Sequence, residues 1–94
     1  MKKTYLLVYS GSVGDREKVK EILNQLHMVE TWRYDLPNCF YIVSEYSAKQ
    51  ISVELRSKFN DKGTFIMSEI TSNSYGWLAD GAWHLIQNYV HKPK

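Results

Sequence analysis

Hydrophobic and polar positions follow two different periods along the first third of the chain. Residues 4–9 are almost continuously apolar, aromatic or β-branched, which is typical of a central β-strand, and Gly11 and Gly14 follow them. Ser12 and Asp15 then have the spacing of a helix N-terminus. The helix that comes next is predicted from an apolar stripe at positions i, i+3, i+4 and i+7, formed by Val19, Ile22, Leu23 and Leu26.

A period of two begins at Met28 and predicts a strand over residues 28–34. Residues 36–38 supply a turn, with Pro37 at its first corner and Asn38 at its second. A second apolar run, Cys39–Ser44, starts at once. Because so short a link cannot make a parallel crossover, we predict an antiparallel hairpin.

The second half of the chain predicts a helix, a strand and a final helix. Ser47 and Gln50 have the spacing of a capping box, and the helix they begin stops at residues 60–63, where Gly63 can take a left-handed conformation. Residues 64–70 predict the fourth strand, and residues 71–76 a polar loop. The final helix, over about residues 78–91, has one apolar side composed of Leu78, Ala82, Leu85, Ile86 and Tyr89.

The order βαββαβ, followed by a helix, predicts an α+β fold of the ferredoxin-like kind. In that fold an antiparallel sheet of four strands carries its two main helices on one face, and residues 1–94 would form one such domain. The second face is covered by the final helix or by a second chain, or it stays open to water and partners. A dimer would add core that a small monomer lacks, so we predict a homodimer.

Composition and charge narrow the classes of function. Of the 94 residues, 44% are hydrophobic and 23% charged, as in an ordinary globular domain, and no apolar run approaches the roughly 18 residues of a membrane span. The apolar run after Lys3 is too short for a secretory signal, so we expect a cytoplasmic protein without membrane contact. Four of the twelve basic residues lie near the termini, which leaves eight basic against ten acidic residues and argues against strong nonspecific binding of nucleic acid.

Candidate catalytic and metal-binding groups are few. The glycine loop at residues 10–14 fits neither nucleotide-binding pattern, and Asp15 would repel a phosphate there. Cys39 has no histidine near it in sequence, which is typical of a buried thiol. A solvated helix face accounts for the polar stripe of Asp80, His84, Gln87 and His91. We therefore predict no catalytic residue, no metal site and no cofactor.

Aromatic residues make up 14% of the chain and are its one unusual feature. Trp32, Arg33 and Tyr34 end the second predicted strand, and Tyr75 and Trp77 lie just before the final helix. Such side chains can pack in the core or in a dimer, anchor a protein partner, or stack on nucleic-acid bases. We predict these five as the partner-binding residues, with another protein as the partner.

Several segments resemble small bacterial proteins labelled SinR-like, which are similar in fold to the CRISPR-associated endonuclease of spacer acquisition and to VapD-type toxin ribonucleases. The resemblance is carried by Cys39–Ser44, residues 47–51, residues 65–70, Gly76 with Trp77, and Trp83. In the nuclease relatives it implies a dimer in which paired acidic residues at the end of the first strand bind a divalent metal over a phosphodiester.

This chain departs from that implied site at Ser10, which stands where the aspartate is expected. Because a hydroxyl is a poorer ligand for a hard divalent cation than a carboxylate, we do not expect metal-dependent cleavage unless Asp15 or Asp35 supplies the ligand. The first hypothesis is a non-catalytic, dimeric binding protein that regulates or inhibits a larger complex, such as a defence system. The alternative is a nucleic-acid-binding protein or metal-dependent nuclease of the CRISPR-associated type, and a third hypothesis is ligand sensing at the dimer interface.

Overall fold

Within the described part of the chain, four strands form one antiparallel sheet and three helices pack against it. The computed structural model describes residues 1–91. In chain order the elements are β1 (Lys3–Tyr9), a 3₁₀ turn (Gly11–Val13), α1 (Arg16–Gln25), β2 (Thr31–Arg33), β3 (Cys39–Ser44), α2 (Ala48–Lys58), β4 (Phe65–Glu69) and α3 (Asp80–Asn88). The strand order across the sheet is β2-β3-β1-β4, and each neighbouring pair is antiparallel. The predicted α+β class and the β2–β3 hairpin are therefore confirmed.

The first face of the sheet carries the main core. Alternate residues of β1 and β3 point to this face, because successive side chains of a strand point to opposite sides. Tyr5, Leu7 and Phe40 are buried there, where they meet the apolar stripes of α1 and α2. The buried helical side chains are Val19, Ile22 and Leu23 of α1, as their spacing predicted, and Ile51 and Leu55 of α2.

The second face is covered in part by α3 of the same chain. Ala82, Leu85 and Ile86 are buried against Val43 and its neighbours on β3, and the Thr4 hydroxyl donates to the Ile86 carbonyl over 3.1 Å. The final helix thus packs on its own sheet. A second copy of the chain is not needed to cover this part of the face.

Both helices on the first face begin at polar caps. The capping box predicted for α2 is confirmed, since Ser47 Oγ accepts from the Gln50 amide and the Gln50 side chain accepts from the Ser47 amide. The prediction that Ser12 begins α1 is wrong. Asp15 is the N-cap, because Gly14, at φ 133°, separates the 3₁₀ turn from the helix.

Three other elements are shorter than predicted. The second strand covers Thr31–Arg33 and not residues 28–34, because the chain turns where the Val29 amide donates to the Leu26 carbonyl after α1. The final helix ends at Asn88 and not near residue 91, because Tyr89 takes a left-handed conformation at φ 65°. The fourth strand is one residue shorter at each end than residues 64–70.

Candidate interaction surface

Four of the five predicted partner-binding residues divide into a packed group and an exposed group, and Arg33 lies apart from both. Trp32 and Tyr34 belong to the packed group and are half-buried. Their rings stack with centroids 6.3 Å apart, and each ring meets Phe40 edge-on at 5.5 Å. The Trp32 indole N–H also donates to Asn24 Oδ1 over 2.7 Å. These contacts extend the core of the first face to its edge at β2.

Two basic side chains of α1 cover the outer surface of this ring pair. The Arg16 guanidinium lies 4.4 Å from the centroid of the Tyr34 ring, and the Lys20 ammonium lies 5.8 Å from that of Trp32. Such cation–π contacts are favourable, and they occupy the ring faces on which a nucleic-acid base would stack.

Arg33 lies on the opposite side of β2 and links this strand to the start of α3. Its guanidinium pairs with the Asp35 carboxylate at 3.2 Å. It also lies directly over Gly81, where a Cβ atom would overlap the guanidinium nitrogens. The absence of a side chain at Gly81 therefore leaves room for the Arg33 guanidinium against α3.

Tyr75 and Trp77 form the exposed group. They lie in the segment between β4 and α3, and their exposed fractions are 101% and 98%. A single exposed apolar residue is common on a protein surface, whereas two fully exposed rings two residues apart are not accounted for by packing within the chain.

Apolar side chains from three other elements lie on the same side of the molecule. Val8 and Ile66 are paired across β1 and β4 on the second face, where α3 does not reach, and Leu36 follows β2. We call this set the open surface: Val8, Leu36, Ile66, Tyr75 and Trp77. It contains five of the eight large apolar residues that are exposed within residues 1–91.

A groove of about 300 Å³ is lined in part by three residues of the open surface, Leu36, Tyr75 and Trp77. Tyr41 and Leu6 line it from the sheet, Trp83 from α3, and Tyr75 and Trp77 from the connecting segment. All of its lining residues, which lie within the described part of the chain, are uncharged. The groove is therefore suited to an apolar ligand.

Tyr41 is buried beneath this groove, and its hydroxyl is in an unusual environment. Within the described residues its hydroxyl has no hydrogen-bond partner, although the residue is only 2% exposed. Burial, reinforced by Cys39 and Asp35 and opposed by Arg33, raises the pKa of Tyr41 to about 12. The hydroxyl therefore stays protonated at neutral pH.

The groups considered for catalysis have structural contacts. Asp15 caps α1 by accepting from the Lys18 amide, and Asp35 is paired with Arg33. Ser10, at the end of β1, accepts from the Thr64 amide over 3.2 Å and so holds the start of β4. Cys39 is buried, as predicted, and burial raises the pKa of its thiol.

Residues 1–91 contain neither a cluster of metal-binding side chains nor a helix that could span a membrane. No group of three or more His, Cys, Asp or Glu side chains there is arranged to hold a metal ion. Over the same residues, no helix combines the length and the apolar character that a bilayer crossing requires.

Comparison with protein-family profiles, with curated proteins and with solved structures gives no match. The SinR-like resemblance therefore stays an expectation. The sequence does not predict the groove. For the open surface, the alternation in β1 and β4 places Val8 and Ile66 on the same face once the register of the two strands is known.

Proposed function

We propose that this chain is a non-catalytic binding domain that acts through protein–protein interaction at the open surface. The observation that carries the proposal is the group of exposed apolar side chains in the open surface, three of which, Leu36, Tyr75 and Trp77, line an uncharged groove. Tyr and Trp side chains are enriched at the centres of protein interfaces, where they bury a large area at a small entropic cost.

The size of the open surface supports this proposal. Aromatic side chains each bury about 150–250 Å², so Tyr75 and Trp77 alone present roughly 300–500 Å² to a partner. That range matches the largest apolar patch of a typical monomer, which is often functional. Val8, Leu36 and Ile66 enlarge it further.

The chemistry of the groove favours an apolar protein segment over nucleic acid. Binding of a phosphate backbone depends on basic side chains that displace counterions, and the lining of this groove carries none. At the other aromatic cluster, Arg16 and Lys20 are engaged on the rings of Tyr34 and Trp32. The alternative of a nucleic-acid-binding protein or nuclease therefore has the weaker support.

We also propose that the fold is ferredoxin-like. Support comes from the central position of β1 and β3 in the sheet and from the packing of α1 and α2 on the same face. The α3 helix is an addition to that fold, and its place on the second face limits the open surface to the remainder of the sheet. We propose further that a binding domain of this kind regulates or inhibits a larger complex such as a defence system.

The test compares capture of proteins from an extract of the native host by wild type, Trp77→Ala and Val53→Ala. Val53, 61% exposed on α2, is the matched control because it is apolar and lies outside the open surface. Loss of a hot-spot side chain costs about 2 kcal/mol or more, which is roughly a 30-fold loss of affinity. We expect a protein that wild type and Val53→Ala retain and that Trp77→Ala loses.

A protein retained equally by all three chains would place the interface elsewhere, and an absence of any retained protein would refute the proposal. Heparin binding at low ionic strength supplies a second readout. Strong retention on heparin that disappears as salt is raised would favour the nucleic-acid alternative.

A further inference from the structure

The two edges of the sheet differ in how they are protected. β2 has only three residues, and the Thr31 hydroxyl beside the edge is hydrogen-bonded to His91 Nε2 at 2.7 Å. β4 forms the other edge with five residues, Phe65–Glu69, and contains no proline, lysine or arginine. Proline, charged side chains and short length are usual means by which an edge strand avoids pairing with another chain. Of these, β4 has only Glu69, at its end.

The hydrogen-bond pattern shows which backbone groups of β4 are free to pair. At one end the Ile70 amide donates to the Thr4 carbonyl, and at the other the Ser10 amide donates to the Thr64 carbonyl. Because hydrogen-bonded positions alternate along an antiparallel pair, Ile66 and Ser68 also direct their backbone groups towards β1. The N–H and C=O groups of Phe65, Met67 and Glu69 therefore point away from the sheet.

We propose that two copies of this chain pair through β4, antiparallel and centred on Met67. Only this centre pairs all five residues of the strand with five residues of its copy. Met67 then faces the partner's Met67, and Phe65 and Glu69 face the partner's Glu69 and Phe65. Each of these three hydrogen-bonded pairs contributes two bonds, or about six in all.

The side chains of β4 are compatible with this pairing. Glu69 is the only charged residue of the strand, and it lies opposite the partner's Phe65. At about 3.4 Å per residue, the two glutamates are separated by roughly 14 Å along the sheet. A two-fold interface brings a surface against itself, and here no like charges meet at its centre.

The pairing also enlarges the open surface. Ile66, 63% exposed on the second face, becomes a diagonal neighbour of the partner's Ile66, so that the two open surfaces adjoin on one continuous sheet. This consequence for binding rests on the proposed function, whereas the pairing itself does not.

Introduction of a charge at the two-fold centre gives a sharp test. Met67→Lys and Met67→Glu each place like charges opposite one another, and both side chains are long enough to reach solvent. Sedimentation of wild type should give twice the mass of the chain. Each variant alone should dimerise on the order of tenfold more weakly, and an equimolar mixture should recover the dimer.

A cysteine at the same position tests the geometry with a small side chain. Opposite residues of a hydrogen-bonded pair have Cα atoms about 5.5 Å apart, within the range of a disulfide. Met67→Cys should form a cross-linked dimer on oxidation, and Val53→Cys, on the exposed side of α2, should not. This variant decides the matter if the charged ones do not fold, as judged by circular dichroism.

Trp77→Ala separates this proposal from the proposed function. It should dimerise like wild type even where it loses a protein partner. A monomeric wild type, a mixture that fails to recover the dimer, or equal cross-linking of both cysteine variants would overturn β4 pairing. Loss of the dimer in Trp77→Ala would instead make the open surface the contact between copies.

Discussion

Removal of a hydroxyl should stabilise the protein at one tyrosine and destabilise it at another. Tyr41 and Tyr5 lie on adjacent strands, and both are 2% exposed. The Tyr5 hydroxyl donates to the Tyr46 carbonyl over 2.7 Å, whereas the Tyr41 hydroxyl has no partner within the described residues. The same substitution, Tyr to Phe, therefore removes a hydrogen bond at one position and an unsatisfied buried group at the other.

The two effects have opposite signs and similar size. A hydrogen bond between neutral groups contributes about 1 kcal/mol net, and burial of an unsatisfied polar atom costs about 1–3 kcal/mol. We expect Tyr5→Phe to lower the free energy of unfolding by about 1 kcal/mol and Tyr41→Phe to raise it by about 1 kcal/mol, after a small loss of packing at the vacated site. For a domain of this size, each change shifts the melting temperature by about 4–8 °C.

Urea and thermal unfolding followed by circular dichroism measure both changes. The sign of the change in the free energy of unfolding caused by Tyr41→Phe decides whether the Tyr41 hydroxyl is unpaired. If Tyr41→Phe lowers the free energy of unfolding as much as Tyr5→Phe does, the Tyr41 hydroxyl is hydrogen-bonded in the native protein, and the account of a desolvated, unpaired atom beneath the groove is wrong.

Three further changes test the local physics. Burial raises the pKa of Tyr41 from 10.0 to about 12, so the unfolded chain loses this proton at a lower pH than the folded protein does. The free energy of unfolding should therefore fall as pH rises from about 10 to 12, and it should fall less in Tyr41→Phe. Urea unfolding at a series of pH values measures both. Ser47→Ala removes the N-cap hydroxyl bonded to the Gln50 amide and should cost about 1 kcal/mol, whereas Ser47→Asp should retain most of it. Gly81→Ala should leave the free energy of unfolding nearly unchanged in wild type, because the gain in helix propensity is offset by displacement of Arg33. In an Arg33→Ala background the same substitution should raise the free energy of unfolding by about 1 kcal/mol.

Local signals in the sequence predict much of this fold because the interactions behind them are local. The capping box at Ser47 and Gln50 uses two hydrogen bonds within one helical turn, so its spacing alone identifies it. The hairpin turn is equally local, and Asn38 takes the left-handed conformation, at φ 54°, that this residue type tolerates. By contrast, nothing in the residue type of Tyr89 indicates that it ends a helix with φ 65°.

The candidate site depends on tertiary contacts and could be predicted only in part. Trp32 and Tyr75 look alike in the sequence, since each lies beside another aromatic residue at the end of an element. What distinguishes them is Phe40, which lies on the other strand of the β2–β3 hairpin and packs against the Trp32 ring. The exposed residues that complete the surface, Val8 and Ile66, read as ordinary strand residues until the register pairs them.

The extent of α3 decides how much of the sheet remains available to a partner. The helix is held over β3 by Ala82 and Leu85 and over β1 by the bond from Thr4 to the Ile86 carbonyl, and it ends at Asn88. The nine residues of α3 span only about 14 Å at 1.5 Å per residue, so it cannot cover both ends of the face. The uncovered end is where Val8 lies, next to the exposed edge of β4. A short final helix and an unprotected edge strand therefore expose neighbouring parts of the same sheet, and a second copy at that edge would extend the apolar surface without covering it.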